Sequence, residues 1–306
     1  MGQSLMKLPP PPPLGVIEVE EEESLCSTEE EEVRDLSELP PEIVVNVLGN
    51  LNATDLSLAG CVWQEYASDE ILWYDLCRQE WSYASVYDER RPPSLSAKRL
   101  YLQLDEGTLT FNSDFQKGMD YFFTHGLLKD NTEAIAQFFN GSHLLSKSEM
   151  KKYLQAHPDV TDRLVSLQNF SRQSLPNALR KFFSKLEAPD DRGRYLQLLL
   201  NTFSRRFCQC NPKLGYSFDF VYVSCYSLIL LSVDLSSPHV KNKMSKREFI
   251  RNTRNAVGND RPVSRGDDIF GEMYDNVFLR GHVSCGYQEI QNNKMQFVPG
   301  YLAIFL

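Results

Sequence analysis

The chain has 306 residues, enough for about two domains. With 42% hydrophobic and 24% charged residues, 16 Gly and 16 Pro, it is not a collagen, a mucin-like stalk, a wholly disordered chain or a disulfide scaffold. Of its 41 acids and 32 bases, eleven and two fall in residues 1–38, so the net charge of −9 is a property of that segment and the rest is balanced. A balanced folded part has no broad positive field, which excludes nucleic acid as the default partner.

The N-terminal segment comes first in chain order. Residues 9–13 are consecutive prolines and 18–32 is rich in Glu. Such a composition buries too little apolar surface to offset the entropy of ordering, so 1–37 reads as a disordered acidic tail. It has no basic stretch leading into an apolar core, so no secretory signal is expected. The acylation pattern that Gly2 invites would need Ser or Thr where Met6 stands. The seven Cys are scattered and read as reduced thiols rather than disulfides or a zinc site, which suits a cytoplasmic or nuclear chain.

At Leu39 the texture changes. Pro40 and Pro41 open a helix with Glu42 in its first turn, as the helix dipole favours. Ile43, Val44, Val47, Leu48 and Leu51 repeat at helical spacing. Further apolar sets follow at Leu56, Leu58, Ala59, Val62 and Trp63, and at Leu72, Trp73 and Leu76. The spacing predicts a three-helix unit over 38–81, small for independent stability. Residues 82–107 read as a connector with one short helix near Leu100.

From Thr108 to Cys285 the pattern is helical nearly throughout, with breaks at Gly126, Gly141, Pro158, Pro189, Pro212 and Pro238. The nearly apolar run Val221–Val233 is shorter than the roughly 20 residues of a membrane span and reads as a buried core helix. No strand-period alternation of any length is present, so the fold class is all-α. Residues 286–306 read as a tail without clear periodicity.

The motifs of nucleotide-binding loops, zinc proteases and nucleophile-elbow hydrolases are missing from the sequence. The five His are dispersed and read as structural, so no metal or cofactor is expected. Protein-binding surfaces remain.

Two segments carry family resemblances. Leu39-Pro40-Pro41-Glu42-Ile43, Asp55-Leu56, Cys61-Val62-Trp63 and Leu72-Trp73-Tyr74-Asp75-Leu76-Cys77 resemble the F-box, block by block and in order, with Trp63 a few residues early. That resemblance implies a small bundle that docks on the Skp adaptor and so joins a cullin-RING ubiquitin ligase. Leu39, Pro40, Ile43, Leu56 and Trp73 are the implied adaptor-binding residues.

The second resemblance is to the SEC7 domain, the module that exchanges guanine nucleotide on ARF-family GTPases. It rests on Leu175-Pro176-Asn177-Ala178-Leu179-Arg180-Lys181-Phe182, Phe207-Cys208-Gln209-Cys210-Asn211-Pro212, Tyr226–Leu231 and Ser237–Met244, and it covers roughly Phe111 to His282. The resemblance implies a right-handed superhelix with a groove for the GTPase, and a glutamate at the groove's edge. That carboxylate competes with the β-phosphate for the P-loop lysine, so that GDP and magnesium leave.

By position the residue here is Asp191, one methylene shorter than glutamate, and Asp190 stands where the family commonly has Gly. The implied groove residues are Tyr222, Tyr226, Leu230, Asp234, Ser237 and Met244. Ser237 replaces an amide of the usual H-N-P, and a hydroxyl cannot reproduce both amide donors. Tyr226, Ser227, Asp234 and Met244 also resemble the residue set of brefeldin-sensitive members.

Lys241, Lys243, Lys246, Arg247, Arg251 and Arg254 oppose only Glu248. A solvated helix face accounts for them, and contact with anionic lipid is the alternative, which sets at most a peripheral membrane contact. Two functions stay open. One is a ubiquitin-ligase receptor that captures an ARF GTPase, and the other is an active exchange factor with a regulatory F-box.

Overall fold

The computed structural model describes residues 36–88, 95–189, 193–258 and 269–284. Among these residues 72% are helical and none is in a strand. The first helices are α1 (Pro41–Leu48), α2 (Ala53–Ala59), the single turn α3 (Gln64–Ala67) and α4 (Glu70–Glu80). A long α5 (Ala97–Ser113) leads into α6 (Phe115–Thr124), α7 (Thr132–Gly141), α8 (Lys147–Ala156) and α9 (Pro158–Ser166). The last five are α10 (Leu175–Lys185), α11 (Arg194–Cys210), α12 (Phe218–Ser236), α13 (Lys246–Val257) and α14 (Ile269–Arg280).

Local chemistry explains most of the boundaries. Asn52 accepts from the Asp55 amide at 2.9 Å to cap α2, and Asp69 accepts from Ile71 at 2.7 Å to cap α4. Asp114 caps α6, and Ser245 with Glu248 forms a reciprocal capping box on α13. All six predicted breaks fall at helix ends or in the links between helices. Gly126 follows α6 with φ +65°, a backbone region costly for other residues. Pro158 occupies the first position of α9, where its missing N–H costs nothing. The acidic tail and the termini 1–35 and 285–306 lie outside the described residues.

The N-terminal unit differs from expectation by the extra turn α3. Its core is Val44, Leu48, Leu56, Ala67, Leu72 and Trp73, with the Trp73 indole donating to the Ala67 carbonyl at 2.7 Å. One further member, Ala97, belongs to α5.

The larger departure is α5 itself. The sequence pattern predicts a connector with one short helix, whereas α5 runs for 17 residues across the expected domain boundary. Its N-terminal half packs on α4. The Glu70 carboxylate accepts from the Ala97 amide at 2.9 and 3.1 Å. Tyr101 meets Trp73 and Trp81 edge-on, with ring centroids 5.5 and 5.1 Å away. The Trp81 indole donates to Thr108 Oγ1 at 3.0 Å. The C-terminal half of α5 lies against α6, where a Cβ on Gly118 would stand 2.2 Å from the Phe111 backbone. Only glycine permits that approach. Cys77, Trp81 and Ala84 thereby join the main core, which continues to Val283.

The far end of the molecule is held by Arg180 of α10. Its guanidinium donates to the carbonyls of Gly281 (2.7 Å), Asn276 (3.2 Å) and His282 (3.2 Å), and to Asn276 Oδ1 (2.6 Å). It therefore satisfies the carbonyls of Gly281 and His282, just past the last turn of α14, and ties them back to Asn276 within that helix. Burial pushes the neighbouring His282 imidazole down to about 4, and the Arg180 charge acts in the same direction. The folded state thus keeps this ring neutral, while the unfolded chain takes up the proton near the ordinary value of 6.5. The stability that results is whole above about pH 6.5 and declines as pH falls toward about 4. Urea midpoints measured from about pH 7.5 to about 4.5 are expected to fall less steeply in His282→Gln than in the parent chain. Parallel profiles would contradict this assignment.

Candidate functional site

Helix α12 organises the C-terminal half. Ser217 caps it by accepting from the Phe220 amide at 3.0 Å. It is 19 residues long with a mean hydropathy of 1.6 over an 18-residue window, which by length and composition alone would suit a membrane span. Its packing against α10, α11, α13 and α14 accounts for that apolarity instead. Phe220, Val221, Ser224, Cys225, Leu228, Ile229, Leu231 and Ser232 are buried.

The remaining face is different in kind. Tyr222, Tyr226, Leu230 and Asp234 recur every fourth residue, and all four are half-buried. They form a stripe about 18 Å long. Phe218 stacks on Tyr222 at 6.0 Å and extends the stripe at its start. Burial, then the nearby Tyr226, raises the Tyr222 phenol above its ordinary value, so it stays a neutral hydrogen-bonding group.

At the other end, the loop after α12 is tied back on itself. The Asp234 carboxylate accepts from the Met244 amide at 2.7 Å. The Lys243 ammonium donates to the Asp234 carbonyl at 2.8 Å and also to the Ser237 carbonyl, so a cation caps the C-terminus of α12. Tyr274 of α14 donates from its hydroxyl to the Met244 carbonyl at 3.0 Å. The Ser237 hydroxyl accepts from the His239 amide at 3.4 Å, a local turn contact.

The structure thus brings together Tyr222, Tyr226, Leu230, Asp234, Ser237 and Met244 along one helix face and its end loop. It assigns Asp234 a positioning role in that loop. The sequence pattern missed Lys243 and Tyr274 as positioning residues. In the sequence Lys243 reads as one of a surface cluster, and nothing local signals Tyr274, which arrives from 30 residues downstream. Asp191 lies outside the described residues, in the link between α10 and α11.

A cavity of about 390 Å³ lies between the start of α10, the turn Pro212–Leu214 and α14, lined by Leu175, Pro176, Tyr216 and Met273 among others, and no stripe residue borders it. An open, half-buried face of aromatic and aliphatic side chains suits a macromolecule better than a small ligand. Among the described residues, no group of three or more His, Cys, Asp or Glu comes together as a metal cage.

A second candidate surface lies on the N-terminal unit. Of the residues expected to bind an adaptor, Pro40 is exposed, Ile43 is 48% exposed and Leu39 is half-buried. Leu56 and Trp73 are each only 1% exposed, which moves them from the contact surface into the core beneath it. Trp73 is fixed there by its indole hydrogen bond, and Leu56 is the residue that α2 buries in that core. The exposed apolar residues that the pattern missed are Val47, Leu58, Val62 and Ile71. Helical periodicity alone marks them as core, because an interface residue and a core residue are both apolar.

Residues 101–279 match the Sec7 domain model and residues 36–79 match the F-box-like model. The chain belongs to the Sec7 domain family. The F-box-like match lies immediately ahead of the Sec7 domain, and the first Sec7 residue matched is Tyr101, which packs between Trp73 and Trp81.

Mouse F-box only protein 8 is 51% identical over 263 residues, covering 85% of this chain and 81% of that protein. Brefeldin A-inhibited guanine nucleotide-exchange protein 2 of Arabidopsis thaliana is 31% identical over 190 residues, or 60% of this chain and 10% of that protein. The crystal structure of ARF1-GDP bound to a Sec7 domain with brefeldin A contains a chain of like fold. Its TM-score is 0.52 at 22% identity, covering 60% of this chain and 93% of that one.

The end loop of the Sec7 domain yields a direct check. Asp234→Ala removes the acceptor for the Met244 amide, a charge-assisted bond worth about 1.5–3 kcal/mol. Hydrogen exchange at Met244 is expected to speed up by about tenfold or more, with the buried amides of α12 little changed. Unchanged exchange at Met244 would contradict the positioning role of Asp234.

Proposed function

We propose that this chain is the substrate receptor of an SCF-type ubiquitin ligase, and that its Sec7 domain binds an ARF-family GTPase. The observation that carries the reading is the half-buried stripe Tyr222, Tyr226 and Leu230 on α12, a helix whose other side is buried in the core. A GTPase laid along α12 would cover these rings and meet the anchored loop at Ser237 and Met244. Large aromatic side chains of this kind dominate protein interfaces when a partner excludes water from them.

The F-box-like unit would meet the Skp adaptor through Pro40, Ile43 and the exposed apolar residues Val47, Leu58, Val62 and Ile71. Its small core makes it a natural half of a larger interface. Such partners place the proposed action in the cytoplasm, in keeping with Cys61, Cys77, Cys208, Cys210 and Cys225 standing outside any disulfide.

A second reading, active exchange, is favoured by one residue. Asp191 keeps the negative charge that would compete with the β-phosphate, although its shorter side chain limits its reach. A misplacement of one ångström at a reacting centre can cost about 100-fold. This favours capture of the GTPase with weak exchange.

The test uses the full chain with purified ARF·GDP and Skp adaptor. Both are expected to be captured. Tyr226→Ala should weaken GTPase capture by about tenfold without affecting the adaptor, and Ile43→Asp should do the reverse. Release of fluorescent GDP should be slow with the parent chain and faster with Asp191→Glu. Failure to capture the GTPase while the adaptor binds would overturn the receptor reading. Fast release that is abolished in Asp191→Lys would establish the exchange factor.

A further inference from the structure

The basic cluster around α13 is not absorbed by either proposed interface. Its members divide in the structure. Lys243 caps α12, and Lys246 pairs with Asp275 at 2.7 Å. Lys241, Arg247 and Arg251 remain exposed. Arg247 and Arg251 are four residues apart and so share one face of α13.

Beside them lies an apolar feature that the sequence pattern did not single out. Phe278 and Leu279, in the last turn of α14, are 65% and 78% exposed, and Leu279 is the most exposed large apolar side chain among the described residues. Their position relative to the cations is fixed by contacts one turn earlier. Asp275 holds Lys246, and Tyr274 packs on Phe249 at 5.9 Å and bonds the Met244 carbonyl. Phe278 then stacks on Tyr274 at 6.1 Å. The two apolar residues therefore project from the same end of the α13–α14 pair as the start of α13 and the loop that carries Lys241.

Across 239–258 and 269–284 the sequence has seven cations against three acids, in a chain that is balanced beyond residue 38. Of those three acids, Asp275 is paired with Lys246 and Glu248 is engaged by the Ser245 cap.

From this arrangement we infer that the end of the α13–α14 pair is a contact site for an anionic phospholipid bilayer. Phe278 and Leu279 enter the interfacial region while Lys241, Arg247 and Arg251 meet the headgroups. Binding at a membrane surface scales with the apolar area buried plus the attraction to anionic lipid, and this site supplies both. Each cation near an anionic leaflet adds to the attraction. Two adjacent apolar side chains at a helix end, flanked by cations, make a wedge rather than the broad apolar core of a protein interface. The inference goes beyond the proposed function and holds whether or not α12 binds a GTPase.

Vesicle sedimentation with the full chain tests it. The chain is expected to pellet with phosphatidylcholine vesicles that carry about 30 mol % phosphatidylserine, and to stay in solution with phosphatidylcholine alone. The double variants Phe278→Ser/Leu279→Ser and Arg247→Glu/Arg251→Glu should each lower the bound fraction at least about fivefold. All four positions are exposed, so unchanged circular dichroism is expected and checks folding.

An independent readout is an environment-sensitive dye on Leu279→Cys, whose emission should shift to the blue with the anionic vesicles only. A parent chain that ignores anionic vesicles overturns the proposal, and so does binding that both double variants retain. The first result would hold equally if the acidic N-terminal segment or a protein partner occupied the face. A dye that stays in water while the chain pellets also overturns it.

Discussion

One helix carries the architecture. A bundle of about 45 residues is too small to be secure on its own, and here it completes its core with Ala97 of α5. The Glu70 carboxylate is the hinge pin of that arrangement. It supplies an acceptor for the first amide of α5, which has no helical partner, and places a negative charge where the helix dipole favours it. Tyr101, wedged between Trp73 and Trp81, extends the contact by one turn. The same helix then runs on to Phe111, pressed against Gly118 of α6. A short flexible connector would leave two domains free to reorient, whereas a continuous packed helix makes them one body.

That constraint gives the proposed function a geometry. If the F-box-like unit meets an adaptor and the α12 stripe meets a GTPase, a continuous core separates the two surfaces. A captured GTPase would then be presented to the ligase at one fixed place rather than over a range of positions. The loop after α12 follows the same logic on a smaller scale. Asp234, Lys243 and Tyr274 hold Ser237 and Met244 in place before any partner arrives, so less ordering entropy is lost on binding.

Much of this was legible in the sequence, for identifiable reasons. Glycine and proline mark helix ends through backbone chemistry alone, so Gly126, Pro158 and Pro238 read correctly without any tertiary information. Tyr222, Tyr226 and Leu230 stand four residues apart in the sequence, and that spacing puts them on one side of a helix. Burial was harder to read. Leu56 and Ile43 are both apolar and both at helical spacing, yet one is core and the other is surface. Periodicity cannot tell a face that packs inside the chain from one left for a partner.

Long-range polar contacts were the least legible. Arg180 gathers carbonyls about a hundred residues away, and Glu70 reaches Ala97 across a segment that looks like a linker. The length of α5 was missed for a related reason. Its polar and small residues, Gln103, Asp105, Gly107 and Thr108, dilute the apolar stripe. Only packing on both sides makes the helix continuous.

Hydrogen exchange along α5 in the full chain tests the central claim most directly. If the helix joins both units into one body, the amides of Leu100, Tyr101 and Leu104 are protected to the same degree as those of Phe111 and Asn112. Protection that drops by about a hundredfold or more over Ala97–Leu104, while the C-terminal half stays slow, would mean two independent domains on a linker and would contradict the account.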